Sequence, residues 1–419
     1  MKLPIPLCIK NKYDRIALYL FLTTLTLHMI IMPIPRGSFI FDEAHYIPAC
    51  RKLLKGEAAN NEHPPLAKLL ISLTMAIFGD NELGWRFTPI LFGSLSILVM
   101  YLLAKRFLSP PYTLIPPTLL LLDNMFFVHS SAALLDPSEL FFIILAITFL
   151  AYGHITWSGI AFGFALLCKL PALFIMGGFI LYLLLKNQTS INREDNKIRF
   201  LIILAKNLIQ DLWKVIYTFI LPALFIFLIG LSLYNACYHD PNFTTPLKHI
   251  LFMFQYHSSL VIQKPEDFIY PWQWITIYPP QPYHIVNVNV LDEHGNVIDT
   301  YPSIAYYGFG TMPIWWSIWI LLPYLAYKVF LSYKYKGESL PAEEITLIWI
   351  LFSYFPFLLS TLLLNRVPYP FYYLHTVPAL TMGLGVLFSE EEIPKYIPIL
   401  FILICLSWFI YFYPMRVIQ

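Results

Sequence analysis

A series of apolar runs, each close to the length a helix needs to cross a bilayer, constrains this chain more than any motif in it. Residues 16–35, 87–103, 112–128, 215–234 and 345–364 are almost free of charge, and a run of about 20 apolar residues in a helix crosses the hydrocarbon of a membrane. Only 12% of the 419 residues are charged and 58% are hydrophobic, which leaves too little polar surface to coat a soluble globule. The chain reads as an all-α polytopic membrane protein.

Basic residues orient the spans, because Lys and Arg at span ends stay on the cytoplasmic side. Lys2, Lys10, Lys12 and Arg15 precede the first run, Lys105 and Arg106 follow the second, residues 186–214 are basic and polar, and Lys328, Lys334 and Lys336 follow residues 313–329. With the shorter runs 140–152, 160–168, 171–185, 371–388 and 397–413 the reading gives about 11 transmembrane helices, amino end inside and carboxyl end outside. The first segment lacks a small-residue cleavage site and reads as a retained anchor. One transmembrane domain is expected over residues 1–419, with a first outer loop at 35–86, a cytoplasmic loop at 186–214 and a large outer loop at 235–312. Residues 66–78 and 198–213 suit amphipathic helices lying along the membrane face. Residues 284–308 alternate apolar with polar on either side of Glu293-His294-Gly295-Asn296, the pattern of a β-hairpin.

Charge is concentrated where it is costly. Residues 39–68, wedged between lipid-length runs, carry the adjacent carboxylates Asp42 and Glu43, then His45, His63 and Lys68, with Arg86 just beyond. Ionisable groups held at the rim of a membrane domain are expensive to desolvate and mark a site. A carboxylate pair there could act as a general base, bind a divalent metal or relay protons. A relay would want carboxylates within the spans, yet nearly all Asp and Glu lie in loops or at span ends. A base at the membrane surface suits a substrate whose reactive head stands at the interface while its tail lies in lipid. Lys68, Arg86, His45 and His63 could then meet the charge that develops on a leaving phosphate. Asp42, Glu43, His45 and His63 could instead ligate a divalent metal, but a phosphate held by Lys or Arg needs none, so cofactor use stays open. A net charge of +2 gives no case for nucleic acid. The five scattered cysteines indicate neither a disulfide framework nor a metal cluster, although Cys50 and Cys237 both fall in outer loops and could pair.

An ordered set of motifs adds to this reading. FDEAHY (41–46), HPPLAK (63–68), GWRF (84–87), LLDN (121–124) with SSAALLD (130–136), CKLPALF (168–174), NFTTPLKHILFMFQYHSSL (242–260) and YPWQWITIYPPQPY (270–283) together resemble the protein O-mannosyltransferases. PFYYLHTVPAL (370–380) matches more loosely. This family belongs to the GT-C membrane glycosyltransferases, which use polyprenyl-phosphate sugars. The resemblance implies inverting transfer of a sugar, typically mannose, from a dolichyl (polyprenyl) phosphate to a hydroxyl, typically Ser or Thr of a protein, on the extracytoplasmic face of the cell membrane. It makes Asp42 the catalytic aspartate, Glu43 the acidic neighbour tied to acceptor or site geometry, and Arg86 the functional arginine. Asp136, Lys169, Tyr256 and His257 fall in the matching segments and join the candidates for donor phosphate and substrate binding.

In the related lipid A aminoarabinose transferases an arginine follows the Asp-Glu-x step and the later motif is Lys-Pro-Pro. His45 and His63 stand at those places and favour the mannosyltransferase branch, with a lipid or glycan acceptor as the alternative. Two departures from the family pattern stand out. The outer loop lacks room for the extra β-trefoil domain of eukaryotic members, and Ser131-Ala132 replaces the arginine usual before the LLD motif. Oligosaccharyltransferases share the architecture but carry a Trp-Trp-Asp acceptor motif, whereas Trp315-Trp316 heads a span with no Asp after it. A polytopic transporter is the non-enzymatic alternative.

Overall fold

The computed structural model describes residues 9–186, 197–264, 266, 268–276, 278–336 and 339–413, and among these the chain is a bundle of helices with a single β-hairpin. The helices that build the site are α1 (Lys12–Ile31), α2 (Glu43–Leu54), α3 (Leu66–Phe78), α4 (Glu82–Phe107), α5 (Ile115–Leu121), α6 (Asn124–Ser131), α7 (Asp136–Ala151), α8 (Ile155–Cys168) and α9 (Ala172–Leu185). After α10 (Lys197–Val215) and α11 (Leu221–Tyr238), α12 (Pro246–Ser259) and α13 (Pro271–Trp274) lead into the hairpin, β1 (Gln281–Leu291) and β2 (Val297–Gly308). The chain closes with α14 (Met312–Trp316), α15 (Ile318–Leu331), α16 (Pro341–Leu364), α17 (Val377–Phe388) and α18 (Tyr396–Tyr411).

Among the described residues, five helices are long and apolar enough to cross a membrane unbroken, or six if the bent pair α6 and α7 is one span. Several expected spans are instead built from shorter apolar pieces. The reason is visible at residues 112–128, where a single crossing was expected. Pro116 and Pro117 open α5, and the Asp123 carboxylate then accepts from the Phe126 N–H, capping a new helix; a residue that caps a helix start in this way ends the run before it. The next break, between α6 and α7, bends the chain by 117°. Residues 187–196, the middle of the expected cytoplasmic loop, lie outside the described residues, and the amphipathic helix expected at 198–213 is α10.

Close packing of α8 on the segment before and within α11 depends on two glycines. A Cβ on Gly159 would meet the Phe219 carbonyl oxygen at 2.3 Å, and one on Gly163 the Ala223 oxygen at 2.6 Å. Small residues allow this backbone approach where no hydrophobic effect drives helices together. The hairpin forms as its alternation implies. In its turn the Asp292 carboxylate accepts from the His294 and Asn296 N–H groups and Gly295 adopts φ +82, the left-handed conformation glycine takes without strain.

Candidate active site

The adjacent carboxylates meet opposite fates because of how the chain enters α2. Phe41 sits at φ +49, rare for an aromatic residue. Its N–H donates to the Tyr283 carbonyl at 2.8 Å and its ring stacks 4.2 Å from that of Tyr283, so the base of the hairpin holds the turn. Glu43 goes inward: it and Arg86 are both fully buried and paired in a two-point bridge, Nε to Oε1 and Nη2 to Oε2, each 2.8 Å. The Glu43 oxygens also accept from the Ile40 and Ala133 N–H groups. Arg86 Nη1 donates to the Met32 and Ile34 carbonyls and Nη2 to that of Ser38. All five guanidinium N–H donors are then engaged, leaving none for a phosphate. Lys68, also buried, donates to the carbonyls of Asn60, His63 (2.9 Å) and Ala59 (3.5 Å) and to Asn60 Oδ1 (3.3 Å). These two cations, expected to face the donor, instead tie the loop of residues 32–68 together.

Asp42 goes the other way. It is half-buried, and among the described residues its carboxylate has neither a hydrogen-bond nor an ion-pair partner. Burial raises its pKa above the ordinary aspartate value, while the Lys169 ammonium pulls the other way. Lys169 lies in the break between α8 and α9, buried, with Nζ 2.7 Å from Asp136 Oδ1 and 5.1 Å from the centre of the Phe371 ring. Asp136, brought here by the bend before α7, also lies 3.4 Å from His129 Nδ1, and His129 Nε2 is 2.8 Å from the Tyr283 hydroxyl. A chain of contacts thus runs from Lys169 back to the residue that holds Phe41.

Lys169 forms part of the wall of a pocket of about 240 Å³. His63, His257 and Arg366 join it at the polar head, and Leu170, Leu173, Phe174, Phe254, Phe357 and Leu364 make the body apolar. Arg366 follows α16, where residues 260–262 and 365–367 bridge; its Nε donates to the His257 carbonyl at 3.1 Å and Nη2 lies 3.3 Å from His257 Nδ1. His257 Nε2 is 3.0 Å from the Glu62 carbonyl, and the His63 and His257 rings are 5.1 Å apart. Burial, reinforced by Arg366, draws the His257 pKa down to about 4, and burial with Lys169 and Lys68 beside it holds His63 well below the ordinary range. Both rings are therefore neutral at pH 7, and the fixed positive charges at the head are those of Lys169 and Arg366.

Residues 62–209 match the family model of dolichyl-phosphate-mannose-protein mannosyltransferases. A polyprenol-phosphate-mannose–protein mannosyltransferase of Mycobacterium tuberculosis is 36% identical over 118 residues, 26% of this chain and 23% of that protein. The S. cerevisiae protein O-mannosyltransferase Pmt1-Pmt2 complex bound to the sugar donor superposes with a TM-score of 0.71 at 12% identity, over 97% of this chain and 90% of that one. Over the matched residues the chain is similar to the protein O-mannosyltransferases. Its fold is that of the solved Pmt1-Pmt2 structure. ArnT from Cupriavidus metallidurans bound to undecaprenyl phosphate shares the fold at a TM-score of 0.57 and 16% identity, over 90% of this chain and 60% of that one. The sequence match spans about a quarter of the length of the curated mannosyltransferase.

Within this bundle the structure gathers Asp42, His63, Asp136, Lys169 and His257 and separates the rest. His45 is exposed on the first turn of α2, and Tyr256 is 38% exposed with its ring edge-on to His257, away from the pocket wall. Sequence reasoning missed Arg366, a lone cation between an apolar run and an aromatic cluster. It also missed Glu139 and His375, whose Oε2 and Nε2 are 2.9 Å apart in the bundle. Glu139 is a carboxylate inside an otherwise apolar span, which was the available signal. Among the described residues, Asp136, Glu139 and His375 form the only metal-capable group. Each already has a partner, with the Lys169 ammonium on Asp136 and His375 on Glu139. The donors expected to share a metal do not converge, since Glu43 is spent on Arg86 and His45 is exposed. Cys50 and Cys237, which could have paired, are both free thiols.

Proposed function

We propose that this protein transfers mannose from a polyprenyl-phosphate donor to a Ser or Thr hydroxyl of a protein, with inversion, on the extracytoplasmic face of the membrane. The observation that carries the reading is the unpartnered Asp42 carboxylate beside a pocket with a cationic head and an apolar body. An apolar wall suits a prenyl chain, and Lys169 and Arg366 suit the phosphate at its end. Asp42 takes the acceptor proton as the hydroxyl oxygen bonds to the anomeric carbon. The bond from that carbon to the phosphate oxygen breaks, and Lys169 and Arg366 meet the charge left on the phosphate. One carboxylate acting as base, with no covalent intermediate, inverts the configuration. Burial that raises the Asp42 pKa makes it a stronger base than an exposed aspartate. The similarity to mannosyltransferases supports the sugar and the protein acceptor, and the basic residues at the opposite span ends support the side.

The test is transfer of labelled mannose from polyprenyl-phosphate mannose by purified protein, with a Ser/Thr peptide and a lipid hydroxyl as parallel acceptors, each with and without a chelator. Transfer to the lipid alone would overturn the protein acceptor, and loss on chelation would put a metal in the site.

A further inference from the structure

The hairpin is more than a brace for Phe41. Beyond its base it extends as a two-stranded ribbon, with Ile285, Leu291, Val297, Ile298 and Tyr301 exposed. Such a ribbon has two free edges, and an open edge is a template for another strand. The two edges are not equivalent here. Asn287 pairs with Pro302, and proline has no N–H to give a ladder, so it fits only where that position faces outward. The Asn287–Pro302 pair is therefore of the type whose backbone groups point away from the partner strand, as are its neighbours two residues on, Ile285–Ile304 and Asn289–Thr300. Pro302 blunts the β2 edge. The β1 edge keeps the outward N–H and C=O groups of Ile285, Asn287 and Asn289.

That open edge leads to the catalytic loop. The Tyr283 carbonyl, two residues before Ile285 and in an irregular part of the ladder, turns away from β2 and accepts from the Phe41 N–H. Phe41 is thus already seated where a third strand would begin, and Asp42 follows it.

We infer that the β1 edge is the docking site of the acceptor: an extended hydroxyl-bearing polypeptide adds as a third strand along Ile285–Asn289, and its end is delivered beside Asp42. Main-chain hydrogen bonds supply affinity without requiring a fixed sequence. This rests on the protein-acceptor reading of the preceding section. It adds to that reading a preference for acceptors long and extended enough to pair.

The experiment compares a Ser/Thr peptide of about ten residues, enough to span the strand, with a blocked single threonine too short to pair. Asn287→Pro copies on β1 the device that Pro302 provides on β2, leaving the ladder bonds between the strands in place. It should raise KM for the long peptide about tenfold, as expected for one or two lost edge hydrogen bonds, with kcat and the KM for blocked threonine unchanged. Asn287→Ala keeps the N–H and should behave as wild type. N-methylation of alternate residues of the peptide should reproduce the effect on unaltered enzyme. An unchanged KM for the long peptide in Asn287→Pro, or an equal loss with both acceptors, overturns the docking site. Failure of the unaltered enzyme to glycosylate either acceptor overturns instead the protein-acceptor reading beneath it. Cross-linking of the ribbon to a second copy of the chain, relieved by Asn287→Pro, would assign the edge to self-association and also overturn the proposal.

Discussion

Two pairs of buried or half-buried cations lie near the loop that carries Asp42 and are used in opposite ways. Arg86 and Lys68 have every donor engaged, by Glu43 and by acceptors of residues 32–63, whereas among the described residues Lys169 makes one hydrogen bond, to Asp136, and the Arg366 side chain hydrogen-bonds to His257 and lies over the Tyr372 ring. The first pair builds the loop. The second keeps donors free in the wall of a pocket. Burial of a charge is therefore a poor guide to its function until its donors are counted, because a saturated cation stabilises structure and an unsaturated one recognises a ligand.

That contrast is open to direct tests. The largest effect is expected from Arg86→Met, which strands the Glu43 carboxylate in a fully buried site and should cost about 3–5 kcal/mol of stability. It should be read as loss of folded protein or a lowered Tm rather than as a changed KM for donor. Arg86→Lys should not rescue it, since an ammonium cannot make the two-point bridge. A stable Arg86→Met enzyme with weakened donor binding would move Arg86 into the second pair.

Asp42→Asn keeps the shape of the side chain and removes its basicity. Turnover should fall by about a hundredfold or more, the range for losing a positioned base, with donor binding and Tm retained. In the unaltered enzyme the active form is the carboxylate, so kcat/KM should fall as pH drops through a value raised above the ordinary aspartate 3.8. His257, drawn down to about 4, and His63, also held low, should add no inflection near pH 6.5. Near-normal transfer by Asp42→Asn would remove it from the chemistry.

Lys169→Met and Arg366→Gln should each lower transfer by about ten- to a hundredfold through poorer stabilisation of the leaving phosphate. Arg366→Gln should leave Tm almost unchanged, because that guanidinium is half-buried and only partly engaged. Lys169→Met also strands the buried Asp136 carboxylate, so its loss is read as transfer per folded protein; a collapse in stability of Arg366→Gln equal to that of Arg86→Met would erase the distinction between the pairs.

The smallest perturbation is expected at the hairpin turn. Asp292→Ala removes a carboxylate that organises exposed turn backbone and should lower Tm only slightly, leaving transfer to a single threonine intact.

How much of this was legible in the sequence follows from the range of each signal. Hydropathy is local and additive, so the membrane class and helices such as α4 and α16 could be read directly, and alternation around Gly295 located the hairpin. The motif at residues 41–46 singled out Asp42 as the candidate base, and charge within an apolar span could have singled out Glu139. The sequence could not say which of two adjacent carboxylates turns inward. That depends on the φ of Phe41, which Tyr283 holds from 242 positions away.

By itself, then, the sequence determined a mainly helical membrane chain with a hairpin, its family likeness and the residue types available for chemistry, because apolar periodicity, alternation and short motifs are properties of neighbouring residues. The tertiary structure alone decided which charges are saturated, which span is broken by an Asp123 cap, and that Arg366 completes the pocket with Lys169. A hydrogen bond is satisfied by whatever partner the fold brings within about 3 Å, and Arg86 reaches Glu43 across 43 residues while His375 reaches Glu139 across 236. Separations of that size leave no periodic trace in a single sequence.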